Sequence, residues 1–397
     1  MGDSVAETIK LAERVNRIGA SATLAVLQDA ERLRAQGVDV VDFGPGEPDF
    51  PTPDHIKQAA VRALEENFTK YTPTPGIPAL RKAICEWHAR ELQSGYEPRE
   101  CVVTVGGKHG VFEALSALVS RSDPVLIPAP YWVSFPEIVN YLGGRPVAVP
   151  TDETNGFKLT AADVERGWVD GARVVILNSP CNPSGAVIDP GEFERIVALC
   201  RRRGAWLLSD ECYSHFVYDG APYSVASLPD SKAHTIVVGS LSKTFSMTGW
   251  RIGYVLAPEP IAQAITRLQS HSTSNPTSIA QKAALAALTG PMEPVKTMLA
   301  EYARRRARVL EGLRAIPSLS CTAPQGAFYV YPNARNWMER AGVRSSGELA
   351  RRLLDDARIA VVPGEAFGTE HHFRLSYATS MDRIEEGLRR LTQFFSA

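Results

Sequence analysis

The chain has 397 residues, 44% of them hydrophobic and 22% charged, and its 43 Lys and Arg against 44 Asp and Glu leave a formal charge of −1. A chain of this length buries roughly three quarters of its unfolded surface and needs no disulfide or metal staple, and length alone suggests about two to three domains. The balanced, interspersed charge excludes the wide basic stripe of a nucleic-acid binder and the polybasic face of a membrane-surface protein, while leaving room for local anion sites.

The first fourteen residues include Asp3, Glu7, Lys10, Glu13 and Arg14, so no apolar core of a secretory signal is present, and no apolar run approaches the roughly 20 residues that span a bilayer. A cytoplasmic protein is expected. The cysteines at 85, 101, 181, 200, 212 and 321 form no C-x-x-C pair, and no histidine stands at zinc-ligand spacing. They read as reduced thiols without a metal centre.

Residues 1–47 read as helical and then extended, with no obvious place in a main sheet. Short β-rich runs then alternate with helical patterns, which predicts an open α/β sheet with helices on both faces. The runs are Val102 to Val105, followed by a helix through Leu118; Val125 to Ile127; Val174 to Leu177, before a helix near 191–202; Trp206 to Leu208; and Ile236 to Val238. Buried, partly parallel strands are expected there. Two long helical patterns follow, 259–289 and 294–315, and the composition breaks at Ile316-Pro317-Ser318. The tail mixes strands (328–331, 359–362, 373–377) with helices (346–356, 381–395), as a small α+β domain does.

In open α/β sheets ligands bind beyond the carboxyl ends of the strands, and every strand end here carries polar residues. The first ends in Gly106-Gly107-Lys108, the third in Asn178 to Gly185, the fourth in Ser209-Asp210-Glu211-Cys212-Tyr213, and the last in Ser240-Leu241-Ser242-Lys243, with Gly249-Trp250-Arg251 close behind. Gly106-Gly107 opening a helix offers free backbone N–H groups to an anion; Ser240, Ser242 and Arg251 complete a phosphate cradle. A plain tight turn is the alternative for the two glycines. Neither G-x-G-x-x-G nor G-x-x-x-x-G-K-[ST] is present, which weighs against dinucleotides and nucleoside triphosphates. Asp210 at a buried strand end needs a cation, and Lys243 is a residue type that forms Schiff bases when desolvated. From spacing alone, a simple Asp210–Lys243 ion pair is equally open.

These residues resemble the class I pyridoxal-phosphate aminotransferases, in particular the bacterial aspartate aminotransferase subgroup. The resemblance runs through Gly46-Glu47-Pro48-Asp49-Phe50, Lys70-Tyr71 with Gly76-Ile77-Pro78, Val105 to Lys108, Pro130 to Ser134, Asn178 to Gly185, Ser209 to Glu211, Ser242-Lys243, Met247 to Tyr254 and Arg374 to Ala378. It implies fold type I: a three-layer α/β/α large domain with a mostly parallel sheet (48–295) and a smaller α+β domain made of 1–47 and 296–397. It also implies a homodimer with active sites at the subunit interface. Lys243 is then the lysine that carries pyridoxal 5′-phosphate as an internal aldimine and later moves the substrate proton. Asp210 faces the pyridine nitrogen, Tyr213 and Asn182 the ring 3′-oxygen, and Trp132 the ring face. Gly107, Lys108, Ser240, Ser242 and Arg251 hold the phosphate, with Tyr71 reaching in from the partner subunit. Arg374 clamps the substrate α-carboxylate, helped by Asn182, Trp132 and Gly46. Without the resemblance, Trp132 reads as a core tryptophan and Arg374 as a surface charge.

A dicarboxylic substrate requires a second cation. The stretch His271 to Pro276 holds no arginine, unlike the animal-type subgroup, whereas the bacterial subgroup uses the lysine and threonine that stand here as Lys108 and Thr23. The resemblance therefore implies L-aspartate and 2-oxoglutarate in a ping-pong exchange, although Lys108 as a mere helix cap is an alternative. Gly19, four positions before Thr23, supplies no basic residue, which argues against prephenate. Cys181 and Ser184 within the Asn178–Gly185 stretch, and Gly44-Pro45 before Gly46, depart from the commonest pattern at the substrate mouth.

Rival readings are an aminotransferase of other specificity (alanine, aromatic, kynurenine or glutamine), a pyridoxal-phosphate C–S lyase or cyclopropane-forming synthase, and a cofactor-binding regulator, for which no basic recognition patch exists. His109 reads as a helix-surface or interface residue. His371 and His372, pointing oppositely if in a strand, read as loop or interface residues.

Overall fold

The structure, a computed structural model, describes residues 10–19 and 22–396. Its central element is a seven-stranded sheet. In spatial order the strands are Cys101–Thr104, Gly253–Leu256, Thr235–Ser240, Trp206–Asp210, Val174–Asn178, Pro124–Ala129 and Arg145–Pro150. Neighbours pair in parallel except at Gly253–Leu256, which runs antiparallel to both of its partners. Successive side chains of a strand point to opposite faces, so nearly continuous apolar runs feed two cores at once. Val102, Ile127, Ile176, Leu208 and Val238 pack with the helices Gly106–Leu118, Ser134–Leu142 and Glu259–Ser270. Val103, Leu126, Val175, Leu207 and Val237 pack with Asp54–Glu65, Pro78–Leu92, Pro190–Arg203 and Ser278–Thr289.

The elements depart from the sequence reading in identifiable places. The pattern 259–289 is two helices, Glu259–Ser270 and Ser278–Thr289. Pro276 cannot continue a helix and disfavours helical backbone at Asn275 before it. Arg145–Pro150, outside the runs named above, is a strand as well; it carries two prolines and lies at the sheet edge, where a missing N–H is tolerated. Gly253–Leu256, expected only as part of a motif, is the antiparallel strand. The stretch 359–362 splits: Ile359–Ala360 and Val362–Pro363 belong to different sheets.

The residues before 48 find their strand partner near the other end of the chain. Val41–Asp42 pairs in parallel with Ile359–Ala360, and Val41 and Phe43 are buried with Leu313, Phe328, Leu353, Ile384 and Leu391. A second small sheet, Val362–Pro363, Phe373–Ser376 and Tyr329–Val330, is antiparallel. Where the chain enters the large sheet region, Asp49 accepts hydrogen bonds from Tyr302 Oη at 2.9 Å and from Arg305 Nη1 at 2.8 Å, both on the long helix Glu293–Arg314. That tie fixes the stretch Gly44 to Glu47 against the strand ends. His372, read as a loop or interface residue, is buried, stacked on Tyr331 at 4.9 Å and bonded to Glu153 at 3.2 Å. Among the described residues no helix is long and apolar enough to cross a membrane.

Candidate active site

Parallel register brings the strand ends level. Asn178 lies opposite Asp210 and Asp210 opposite Val238, so the residues that follow each strand open into one cavity of about 980 Å³. Its lining includes Gly46, Gly107, Lys108, Trp132, Asn182, Asp210, Tyr213, Ser240, Ser242, Lys243, Arg251 and Arg374. Residues more than 300 positions apart in sequence thus face the same space.

Asp210 is 5% exposed; burial raises its carboxyl above the usual range, opposed by hydrogen bonds from Cys212, whose amide N–H donates at 3.1 Å. Lys243 is not its ion-pair partner: the lysine Nζ donates instead to the carbonyl of Gly46. That removes the simple ion-pair alternative. Burial, seconded by the Arg374 and Arg251 charges, brings the Lys243 ammonium down to about 8, against opposing pulls from Cys212 and Glu47. Tyr213 Oη lies 2.6 Å from Tyr329 Oη, and burial pushes the Tyr213 phenol well up.

Arg374 is 2% exposed, so the surface-charge alternative fails. Its Nη1 donates to Asn182 Oδ1 at 2.9 Å and its Nη2 to the Gly44 carbonyl at 2.6 Å; its Nε is buried without a partner. The guanidinium lies 4.5 Å from the Tyr329 ring centre and 5.3 Å from that of Phe367. Asn182 is in turn anchored through its N–H to Asn178 Oδ1 at 2.8 Å. Trp132 packs edge-on against Phe135 and takes the Lys108 Nζ at 5.0 Å from its ring centre.

One candidate is not brought in, and one lies outside what is described. Tyr71 is 90% exposed and does not line this cavity. The side chain of Thr23 lies outside the described residues. Conversely, the cavity wall includes Tyr329, Cys212, Glu47 and Glu137, which sequence reasoning did not select. Cys212 and Glu47 adjoin selected residues and were within reach; Tyr329 and Glu137 carry no local signal.

The family model for aminotransferases of class I and II matches residues 38–391. The chain belongs to that family. It is 45% identical to the aspartate aminotransferase of Geobacillus stearothermophilus, over 98% of this chain and 100% of the relative. It is also 45% identical to a probable aspartate/prephenate aminotransferase of Aquifex aeolicus, over 96% and 97%. Among solved structures, the aspartate aminotransferase of Rhizobium meliloti superposes with a TM-score of 0.94 at 40% identity, covering 98% of this chain and 99% of that one. That of Thermus thermophilus with maleate gives 0.93 at 40%, covering 97% and 100%. The fold is fold type I, and the aminotransferase works with pyridoxal 5′-phosphate.

The residues present fit that cofactor. Gly106 has φ +79°, and a Cβ on it would stand 2.5 Å from Arg251 Nη2. One on Gly107 would stand 2.7 Å from Cys212 Sγ and 3.2 Å from Ser240 Cβ. Only residues without a Cβ therefore let Arg251, Cys212 and Ser240 approach the backbone of this helix start, and Gly107, Ser240, Ser242 and Arg251 line one cavity, as an anion cradle requires. Beyond the cradle, the buried Asp210 carboxyl group accepts the Cys212 amide N–H and forms no ion pair among the described residues, which suits a protonated ring nitrogen. Gly107→Val should weaken cofactor binding at least tenfold while leaving the fold intact, read by absorbance titration of the apoprotein; unchanged affinity would remove the cradle from this helix start.

A lysine at about 8 also sets a pH dependence. Its amine is the nucleophile and its ammonium is inert, so cofactor capture by the apoprotein should speed up as pH rises and level off above about 8. An unperturbed lysine would keep gaining up to roughly pH 10.4. Stopped-flow absorbance between pH 6 and 10 distinguishes the two.

Proposed function

We propose that this enzyme moves the amino group of L-aspartate to 2-oxoglutarate in a ping-pong cycle, as a homodimer whose two parts, 48–295 and 1–47 with 296–397, act as large and small domains. The observation that carries the aspartate assignment is a cation on the cavity wall, Lys108, beyond the Arg374 fork, the cradle's Arg251 and Lys243. Relatives named aspartate aminotransferase at 40–45% identity support it.

Bound pyridoxal 5′-phosphate supplies a carbonyl carbon for the amino group and a ring that draws electron density from the substrate. The chain's residues do the rest. Asp210 holds the ring nitrogen protonated through a charge-assisted hydrogen bond, worth roughly 1.5–3 kcal/mol. The backbone amides of Gly107 and Lys108, with Ser240, Ser242 and Arg251, would hold the phosphate, together with Tyr71 of the partner subunit. Tyr213 and Asn182 donate to the ring oxygen, and Trp132 covers one face and excludes water. Arg374 grips the α-carboxylate in its planar fork, assisted by Asn182, Trp132 and Gly46, while Lys108 and Thr23 meet the distal carboxylate. Lys243 Nζ would take the proton from the substrate Cα and deliver it to the cofactor carbon that bears the amino group, and would reverse that transfer in the second half of the exchange.

Lys108→Met should lower kcat/KM for aspartate roughly tenfold to a hundredfold, the worth of one charge-assisted contact, and leave alanine within about twofold. Steady-state rates with aspartate, alanine and phenylalanine against 2-oxoglutarate test both the variant and the assignment. Equal or better kcat/KM for alanine in the parent enzyme overturns the aspartate reading, and release of pyruvate and ammonia from cysteine conjugates in place of exchange overturns transfer.

A further inference from the structure

We propose that Tyr329 is a positioning residue that joins the two halves of the site, orienting Tyr213 through its hydroxyl and supporting Arg374 with its ring. The inference rests on the roles proposed above for Tyr213 and Arg374. Tyr329 is fully buried, sits on the short strand Tyr329–Val330, and lines the cavity. Its Oη is 2.6 Å from Tyr213 Oη, and the Arg374 guanidinium lies over its ring at 4.5 Å. One side chain thus touches both a group of the cofactor end and the group of the carboxylate end.

The role proposed for Tyr213 fixes who donates. A Tyr213 hydroxyl that gives its proton to an acceptor in the cavity can only accept from Tyr329, and the polarised pair O–H···O–H is a stronger donor than a lone phenol. Burial pushes both phenols above their ordinary value, so the chain stays neutral. The charged and titratable groups facing the pair are Arg374, Lys243, Glu47 and Cys212. Gly46 makes the arrangement possible: a Cβ there would come within 2.9 Å of Tyr329 Oη. On the other side, an aromatic face beneath a desolvated guanidinium is attractive and holds the fork in plane with its carboxylate.

Three variants of the holoenzyme separate these roles. Tyr329→Phe keeps the ring and loses the hydroxyl; the pH midpoint of the visible absorbance change should rise by roughly 0.3–1 unit, the effect of losing one net hydrogen bond, with KM for aspartate within about twofold. Tyr329→Leu should show the same shift and, in addition, bind aspartate and the non-reacting dicarboxylate succinate about fivefold or more weakly. Tyr213→Phe is the reference and should move the midpoint further. A midpoint unmoved in Tyr329→Phe but moved in Tyr213→Phe overturns the hydroxyl link alone. Unmoved midpoints in both overturn it together with the proposed role of Tyr213. Unchanged succinate affinity in a folded Tyr329→Leu overturns the platform, and loss of succinate affinity in Tyr329→Phe shows that the ring is not what supports Arg374 and overturns it as well.

Discussion

Lys243→Ala should lower kcat with aspartate by about 10⁴-fold, the upper end of what a positioned general base contributes, because among the described residues the only other amine on the cavity wall is that of Lys108. Lys108 is the nearest alternative by composition, but it stands on the helix Gly106–Leu118 beside Trp132, whereas Lys243 reaches the carbonyl of Gly46 across the strand ends. The loss should not be a folding defect. Burial disfavours the charged lysine, as its depressed ammonium shows, so removing it relieves a desolvation cost and the apoprotein's melting temperature should hold or rise. Lys243→Arg sharpens the test, since arginine keeps the charge but cannot become a free base near neutral pH. Both variants should bind pyridoxal 5′-phosphate without the visible absorbance change that follows aspartate addition. A Lys243→Arg enzyme retaining a tenth of the parent rate would show that Lys243 supplies charge rather than a base.

Arg374→Lys should be nearly as damaging, lowering kcat/KM by about 10²- to 10³-fold for aspartate and for 2-oxoglutarate alike. Both substrates carry an α-carboxylate, so a clamp on that group must weaken both half-reactions. Lysine is a point charge and cannot reach Asn182 Oδ1 and the Gly44 carbonyl while still offering a planar pair of donors to a carboxylate. The acceptors it abandons are buried and left without a donor, which adds to the loss. Single-turnover absorbance measurements of each half-reaction decide the matter. A variant impaired with aspartate but normal with alanine, which has no second carboxylate, would assign Arg374 to the distal carboxylate instead.

Much of this site was legible in the chain because its residues sit directly after strands. Asp210, Ser240, Lys243 and Asn182 follow apolar runs, and in an open sheet the ends of parallel strands share one rim, so local patterning already points them at a common place. The two glycines at 106 and 107 are readable for the same reason, since they stand where a strand gives way to a helix. The resemblance to a known family added the roles that spacing left ambiguous, and it supplied Arg374 and Trp132, which by themselves looked like a surface charge and a core residue.

Other features had no local trace. Period-two alternation tells which face of a strand is buried but not which strand lies beside which, so Gly253–Leu256 entering antiparallel between Cys101–Thr104 and Thr235–Ser240 was decided by packing alone. The prolines of Arg145–Pro150 become acceptable in a strand only once that segment is known to be an edge. The pairing of Val41–Asp42 with Ile359–Ala360 spans more than 300 residues and rests on hydrogen bonds that neither two-residue segment announces. Tyr329 is the clearest case. In sequence it is one aromatic in a buried strand, and its place between Tyr213 and Arg374 exists only because the small antiparallel sheet delivers it to the strand ends of the large one. Composition and spacing placed an anion cradle, a carboxylate and a lysine at the strand ends, and the sequence resemblance named their chemistry; the tertiary structure decided which of them meet, because long-range packing, not local preference, fixes the few ångströms on which a hydrogen bond depends.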